Sequence, residues 1–241
     1  MSTRLAPLFI VLLWLLISTW ESLAESYCYE EIQGQERRYF FWHLETGDVR
    51  QLRTLDADEE HRNLFGDETW EVRSWFLRSL RDDTDLEVHR DGKALDFRGR
   101  FQGRTLERSV HIDEIPWYQA LSVGLRSLQS SDDSRLEFWM VRPDNLDVRR
   151  MRAEKQEITW IELGDERHWA QRFRITAAGV PARIWHGDYW LREDDGVFLR
   201  FVSRSILSGT GSSRVELIGS PCPPPKGHLS EEKNNRTLTR R

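Results

Sequence analysis

Cysteine is nearly absent from this chain of 241 residues, which has only Cys28 and Cys222. A centre held by four cysteines, whether zinc or iron–sulfur, is thereby excluded. Lysine is almost as scarce: Lys93, Lys155, Lys226 and Lys233 stand among many arginines, and the formal net charge is −5. A mildly acidic balance does not suit a nucleic-acid partner, so none is expected. The arginines suit bidentate capture of carboxylate or phosphate, although a genome-wide codon bias yields the same composition. Also missing are Gly-x-Ser-x-Gly, His-Glu-x-x-His, Cys-x-x-Cys and a phosphate-cradling glycine-rich loop. With none of these, a non-enzymatic protein without a cofactor is the expectation.

One long apolar run is present, Leu8 to Ile17, preceded by Arg4 and followed by Ser22-Leu23-Ala24. That order of basic, apolar and small residues is that of a cleaved signal peptide over residues 1–24. The run is shorter than the ~20 residues a membrane helix needs. The alternative is an uncleaved single-span anchor. Glu25-Ser26-Tyr27 before Cys28 departs from the small-residue pattern of a lipid-attachment site. Cleavage leaves a protein that is periplasmic or secreted and not integral to a membrane. In an oxidising compartment the two cysteines are expected to form a Cys28–Cys222 disulfide, with two free thiols as the alternative. Residues 25–220 form one β-rich domain, and 221–241, opening Pro221-Cys222-Pro223-Pro224-Pro225, read as a disordered tail.

Within the domain, short apolar segments are cut by turn residues at spacings typical of β structure. Arg37 to His43 and Val49 to Leu52 flank a turn at Glu45-Thr46-Gly47-Asp48. Leu86 to Arg90 meets Ala94 to Arg98 across Asp91-Gly92, a strong hairpin signal, and Gln102-Gly103 turns the chain again into Leu106 to Ile112. Asp56 to Phe65 is acidic and polar and reads as a loop or short helix, while Trp70 to Leu80 fits a strand or a helix. One covering helix is expected near 116–128, with Pro116 at its first position, Asp113 and Glu114 at its positive end, and Trp117, Leu121, Leu125 and Leu128 on one face. Further strands are expected over 136–142, 146–152, 157–163, 169–175, 181–191, 197–203 and 214–218. Phe138-Trp139-Met140-Val141 and Val197-Phe198-Leu199 are apolar on both faces, so those strands must be covered twice.

Two clusters attract a chemical reading. His111-Ile112-Asp113 and His186-Gly187-Asp188 each place His and Asp on one face, and four such ligands meet only if their strands are adjacent. The simpler reading puts His111 on a polar face and Asp188 at a bend. The helix is the other cluster: as a lid over a concave sheet it places Trp117 and Tyr118 at a pocket rim, with Leu121 and Leu125 on the ligand side. Alternatively Trp117 is an ordinary core anchor.

Pro116-Trp117-Tyr118-Gln119, the hairpin Tyr189 to Phe201 and the preceding meander resemble exported bacterial proteins of unknown function whose sheets are similar to the half-barrel of the periplasmic lipoprotein carriers. The resemblance spans residues 85–218 and implies a curved sheet with a helical lid that holds acyl chains. This chain has one clear helix where the carriers have several. The expectation is a mainly β protein, a curved antiparallel sheet forming a half-barrel or open barrel, that binds an apolar, lipid or amphipathic small molecule. An envelope structural or adaptor protein with a protein partner is the second class, and a metal-dependent hydrolase resting on the His-Asp pairs is the third.

Overall fold

The structure is a computed structural model that describes residues 23–66, 69–205 and 212–219. Most of the expected signal segment, the tail and Cys222 therefore lie outside the described residues. The strands are β1 (Leu23–Gln33), β2 (Glu36–Thr46), β3 (Arg50–Leu55), β4 (Glu59–Phe65), β5 (Val72–Ser79), β6 (Thr84–Asp91) and β7 (Ala94–Phe101). They continue as β8 (Arg104–His111), β9 (Arg135–Val141), β10 (Val148–Leu163), β11 (Glu166–Ala177), β12 (Trp185–Arg192), β13 (Phe198–Ser205) and β14 (Ser213–Gly219). All belong to one sheet of 14 strands in the order β8-β7-β6-β5-β4-β3-β2-β1-β14-β13-β12-β11-β10-β9. From β1 the chain winds outward to β8, crosses to the far edge through helix α1 (Leu121–Gln129), and winds back from β9 to β14, which pairs with β1.

The sheet must curl. Laid flat, its outermost strands would stand roughly 60 Å apart at the usual strand spacing. Yet Arg108 on β8 donates to the Leu146 carbonyl just beyond β9, and Gln102 Nε2 reaches the Asp144 carbonyl at 3.2 Å. The curved, open antiparallel sheet expected from the sequence is thus the observed architecture.

The meander through β8 follows from its pattern. Along β6, Thr84, Leu86 and Val88 are buried while Asp85, Glu87 and His89 are exposed, and Leu95 and Phe97 continue the buried row on β7. Asp91 pairs with Ala94 across the Asp-Gly turn. Gln102 and Gly103 both take positive φ (49° and 74°), as a two-residue type I′ hairpin requires.

Several sequence expectations need correction. Asp56 to Phe65 is not a loop or helix: β4 occupies Glu59–Phe65, and Asp56 Oδ1 accepts the N–H groups of Asp58 and Glu59 (2.8 and 2.6 Å) to set the turn before it. Trp70 to Leu80 resolves as strand β5. The segments 146–152 and 157–163 are one continuous strand, β10, whose register shifts between Lys155 and Ile158. Such a bulge bends a strand, and Arg200 Nη2 on β13 then donates to the Glu162 carbonyl at 2.6 Å. Residues 181–184 are turn rather than strand, and β12 begins at Trp185.

The helix is also shorter than expected. It starts at Leu121, with Ala120 at its N-cap, no side-chain cap and no acidic residue in its first turn. Residues 116–119 are instead paired with β9: Trp139 N–H donates to the Pro116 carbonyl at 2.8 Å, and Tyr118 N–H donates to the Trp139 carbonyl at 3.0 Å. Gln119 continues this with its side chain, Nε2 donating to the Val141 carbonyl at 2.8 Å and Oε1 accepting Val141 N–H at 3.0 Å. The carboxylates that resembled helix-start residues have other partners, Asp113 accepting from Trp139 Nε1 at 2.8 Å and Glu114 pairing with Lys93. An edge that would otherwise expose its hydrogen-bonding groups is thus covered.

Helix α1 buries Leu121, Val123, Leu125 and Leu128 on the inner side of the sheet. Each such side chain stabilises by roughly 1.5–3 kcal/mol on burial. Arg126 fastens its last turn: both terminal nitrogens donate to Glu25 at 2.8 Å, and Nε donates to the Gly196 carbonyl at 3.0 Å. The two-faced strand at 197–199 is covered twice as expected. Phe198 enters the main core, while Val197 and Leu199 pack with Ile161 and Ala170 in a second, smaller cluster.

Candidate functional site

The inner side of the sheet is not packed throughout. Between the start of α1 and the strands β1–β4 and β12–β14 lies a cavity of about 330 Å³. Its apolar wall comprises Phe40, Trp42, Leu52, Leu121, Phe198 and Phe201. These side chains are held by their neighbours. Tyr29 stacks between Phe40 and Phe198 (ring centroids 5.3 and 5.1 Å) and donates its buried hydroxyl to the Phe198 carbonyl at 2.8 Å. Trp42 Nε1 donates to Ser122 Oγ at 3.1 Å, tying the wall to the first turn of α1. Tyr189 packs on Phe201 at 4.5 Å, and burial pushes its phenol above the usual range, so it remains a neutral hydroxyl.

Gly187 makes room for this arrangement. A Cβ there would stand 2.7 Å from Phe201 Cε2, well inside ordinary contact, so glycine permits the ring to lie across β12.

The lining is also polar in part, through Glu31, Asp56, Glu59, His61 and Asn63. Most of these groups are already committed. His61 Nδ1 accepts from Trp75 Nε1 at 3.2 Å, which leaves Nε2 as the donor to Glu59 Oε1 at 2.6 Å. That hydrogen bond holds the Glu59 carboxyl below its ordinary value against the opposing effect of burial. Asp56 receives Arg81 Nη2 at 2.8 Å. Two groups are not satisfied in this way. Glu31 has only a long hydrogen bond from Ser213 Oγ, 3.4 Å, and makes no ion pair among the described residues. Asn63, 3% exposed, has no hydrogen-bond partner for Oδ1.

Of the four ligand-side residues expected from the sequence, Leu121 alone lines this cavity. Trp117 is fully buried with Nε1 donating to Gln119 Oε1 at 3.2 Å, Tyr118 packs on Phe138 at 5.8 Å, and Leu125 lies in the core beneath the helix. The sequence reading missed Glu31, Asn63 and the aromatic row. The available signal was the polar stretch Glu59 to Asn63, which carries His61 and Asn63 to the cavity.

The His-Asp pairs do not converge, since β8 and β12 are not neighbours in the sheet. Asp188 lies against Arg174, 3.0 and 3.2 Å, and His186 Nδ1 contacts the Ala182 carbonyl at 2.8 Å. Among the described residues no group of three or more His, Cys, Asp and Glu side chains is placed to hold a metal ion. A further polar chain, Ser26 Oγ to His43 Nδ1 (2.7 Å) and His43 Nε2 to Glu45 (3.1 Å), runs across β1 and β2 at exposed positions away from the cavity. Among the described residues no helix is long and apolar enough to cross a membrane.

No protein-family model matches the chain, and no curated protein matches it. Its structure is similar to the crystal structure of a beta-barrel-like protein of Domain of Unknown Function DUF1849 from Brucella abortus, with a TM-score of 0.57 and 8% sequence identity. The match covers 82% of this chain and 96% of that one. At that identity the likeness establishes a shared β-rich fold alone. It does not extend to the lipoprotein-carrier resemblance.

Proposed function

We propose that this is an exported, non-enzymatic protein that binds a small apolar or amphipathic ligand, such as a short acyl chain, in the cavity between α1 and strands β2–β4. The observation that carries the reading is the cavity itself, lined by both aromatic and polar side chains on the inner side of the sheet. Its volume of about 330 Å³ is at the small end of ligand sites. That favours a short chain over a long acyl tail. The signal-like segment ending near Ala24 supports export, as does Cys28, which is buried and not a free thiol. A bridge to Cys222 is part of the proposal.

The experiment is extraction of protein purified from its native envelope, followed by mass spectrometry of the extract. A stoichiometric apolar or amphipathic molecule is the expected result. An empty extract, together with no binding of octanol in vitro, overturns the reading.

One observation favours the adaptor class as a second reading. On the long β10–β11 hairpin, Trp160 and Trp169 are 53% and 43% exposed with ring centroids 4.6 Å apart, and Ile158 beside them is also exposed. Exposed paired tryptophans are a characteristic protein-contact feature. A stoichiometric envelope protein that co-purifies with the wild type and is lost in the Trp160→Ala, Trp169→Ala double variant would establish that reading.

A further inference from the structure

Glu31 occupies an unusual place in the sheet. Its inward row continues through Val215 on β14, Phe201 on β13 and Tyr189 on β12, paired residue to residue across the strands. A carboxylate at the end of an apolar row, half-buried and without an ion pair among the described residues, carries an uncompensated desolvation cost. Burial accordingly raises its carboxyl above the ordinary value. Arg38, its cross-strand partner on β2, lowers that value in part but places its Nη2 on Glu36 at 2.9 Å.

The charged groups across the cavity do not supply what Glu31 lacks. Asp56 and Glu59 add negative charge, and the positive groups nearby, Arg81 and His61, are engaged with those two carboxylates. Asn63 stands apart from this carboxylate, since the pairings of β1 to β4 place it in the row of Glu25, six residues along β1 from Glu31. Glu31 thus lacks a cation. Around it the cavity offers Phe40, Phe198 and Phe201, whose ring faces favour a cation and whose area favours an alkyl chain.

We infer that the cavity is selective for a primary ammonium carried on a short apolar chain, with the ammonium at Glu31 and the chain against Phe40, Leu121 and Phe198. This rests on the ligand-binding reading above and names the head group that reading leaves open. A primary ammonium can donate hydrogen bonds to the Glu31 carboxylate, which a quaternary ammonium cannot. A carboxylate head would face Glu31, Asp56 and Glu59 and be repelled.

Three probes of the same chain length separate the possibilities: octylammonium, octanol and octanoate, titrated calorimetrically at about pH 8, where the amine is charged and carboxylates are ionised. Octylammonium is expected to bind about 10-fold more tightly than octanol, with octanoate weakest; that ratio corresponds to about 1.4 kcal/mol. In Glu31→Gln the preference for octylammonium over octanol should vanish. Thermal unfolding of the variant verifies that it folds. If octanol binds and octylammonium does so no better, or octanoate binds best, the inference is overturned while the cavity reading stands. If octylammonium is preferred and Glu31→Gln retains the preference, the assignment to Glu31 is overturned. If none of the three binds, the proposed function falls with it.

Discussion

Gly187→Ala tests whether the aromatic wall borders usable space. The added methyl would stand 2.7 Å from Phe201 Cε2, so contact at ordinary van der Waals distance requires the ring to move by roughly 1 Å. Tyr189 packs on the same ring at 4.5 Å, which leaves the cavity as the direction in which Phe201 can yield. Overpacking a tight core costs about 1–3 kcal/mol. Replacing a strand glycine whose backbone suits alanine returns about 0.5–1 kcal/mol. The ring tip has empty space to enter, so the low end of the cost applies and, after that return, a net loss of at most about 0.5 kcal/mol is expected. In a domain of this size that lowers Tm by no more than about 1–2 °C. Octanol affinity should fall severalfold, because the ring then occupies volume the chain needs. Urea unfolding and octanol titration of the two proteins provide the comparison. A loss above ~3 kcal/mol with octanol affinity unchanged would refute the reasoning, since Phe201 would then be clamped and the space beside it irrelevant to ligand.

Glu31 predicts a pH-dependent stability difference. Its folded value is raised by burial, with Arg38, Ser213, Glu59 and Asp56 around it, so its ionisation costs stability as pH rises through that value. Glu31→Gln should therefore be more stable than wild type at neutral pH and equal to it in acid below the ordinary value of 4.5, as chemical unfolding across pH will show. Glu59 has the opposite sign: its carboxyl is lowered by His61, so its contribution is present above 4.5 and lost as pH falls, and Glu59→Gln should lower stability at neutral pH. Arg126→Met removes a bidentate pair with 13% and 30% side-chain exposure, which predicts a loss of roughly 2–3 kcal/mol by urea unfolding. If Cys28 is bridged to Cys222, a thiol assay on the denatured, unreduced protein finds no free cysteine, and reduction costs at most about 5 kcal/mol of stability.

The meander β6–β8 was legible in the sequence because one face is core and the other is water, so Leu86, Val88, Leu95 and Phe97 alternate with charge. Strand β4 was hidden for the converse reason. Its inward residues His61 and Asn63 are themselves polar and line the cavity, its outward residues Glu60 and Arg62 are charged, and no alternation remains to be read. The helix start was misplaced because Pro116, Asp113 and Glu114 are the residue types of a helix N-terminus, while a long-range pairing with Trp139 decides the backbone there. The same limit applies to the site. Phe40, Trp42, Tyr189, Phe198 and Phe201 read individually as strand residues, and only the pairing of β14 with β1 brings them around one space.

That this space is the ligand site is tested most directly by filling it. Leu121 lines the cavity from the first turn of α1, and tryptophan there extends into the open volume without disturbing a strand. Octanol titration of Leu121→Trp, with its fold verified by circular dichroism, should show affinity reduced at least about 10-fold, a loss of about 1.4 kcal/mol. A folded Leu121→Trp protein that binds octanol as tightly as the wild type would contradict the account.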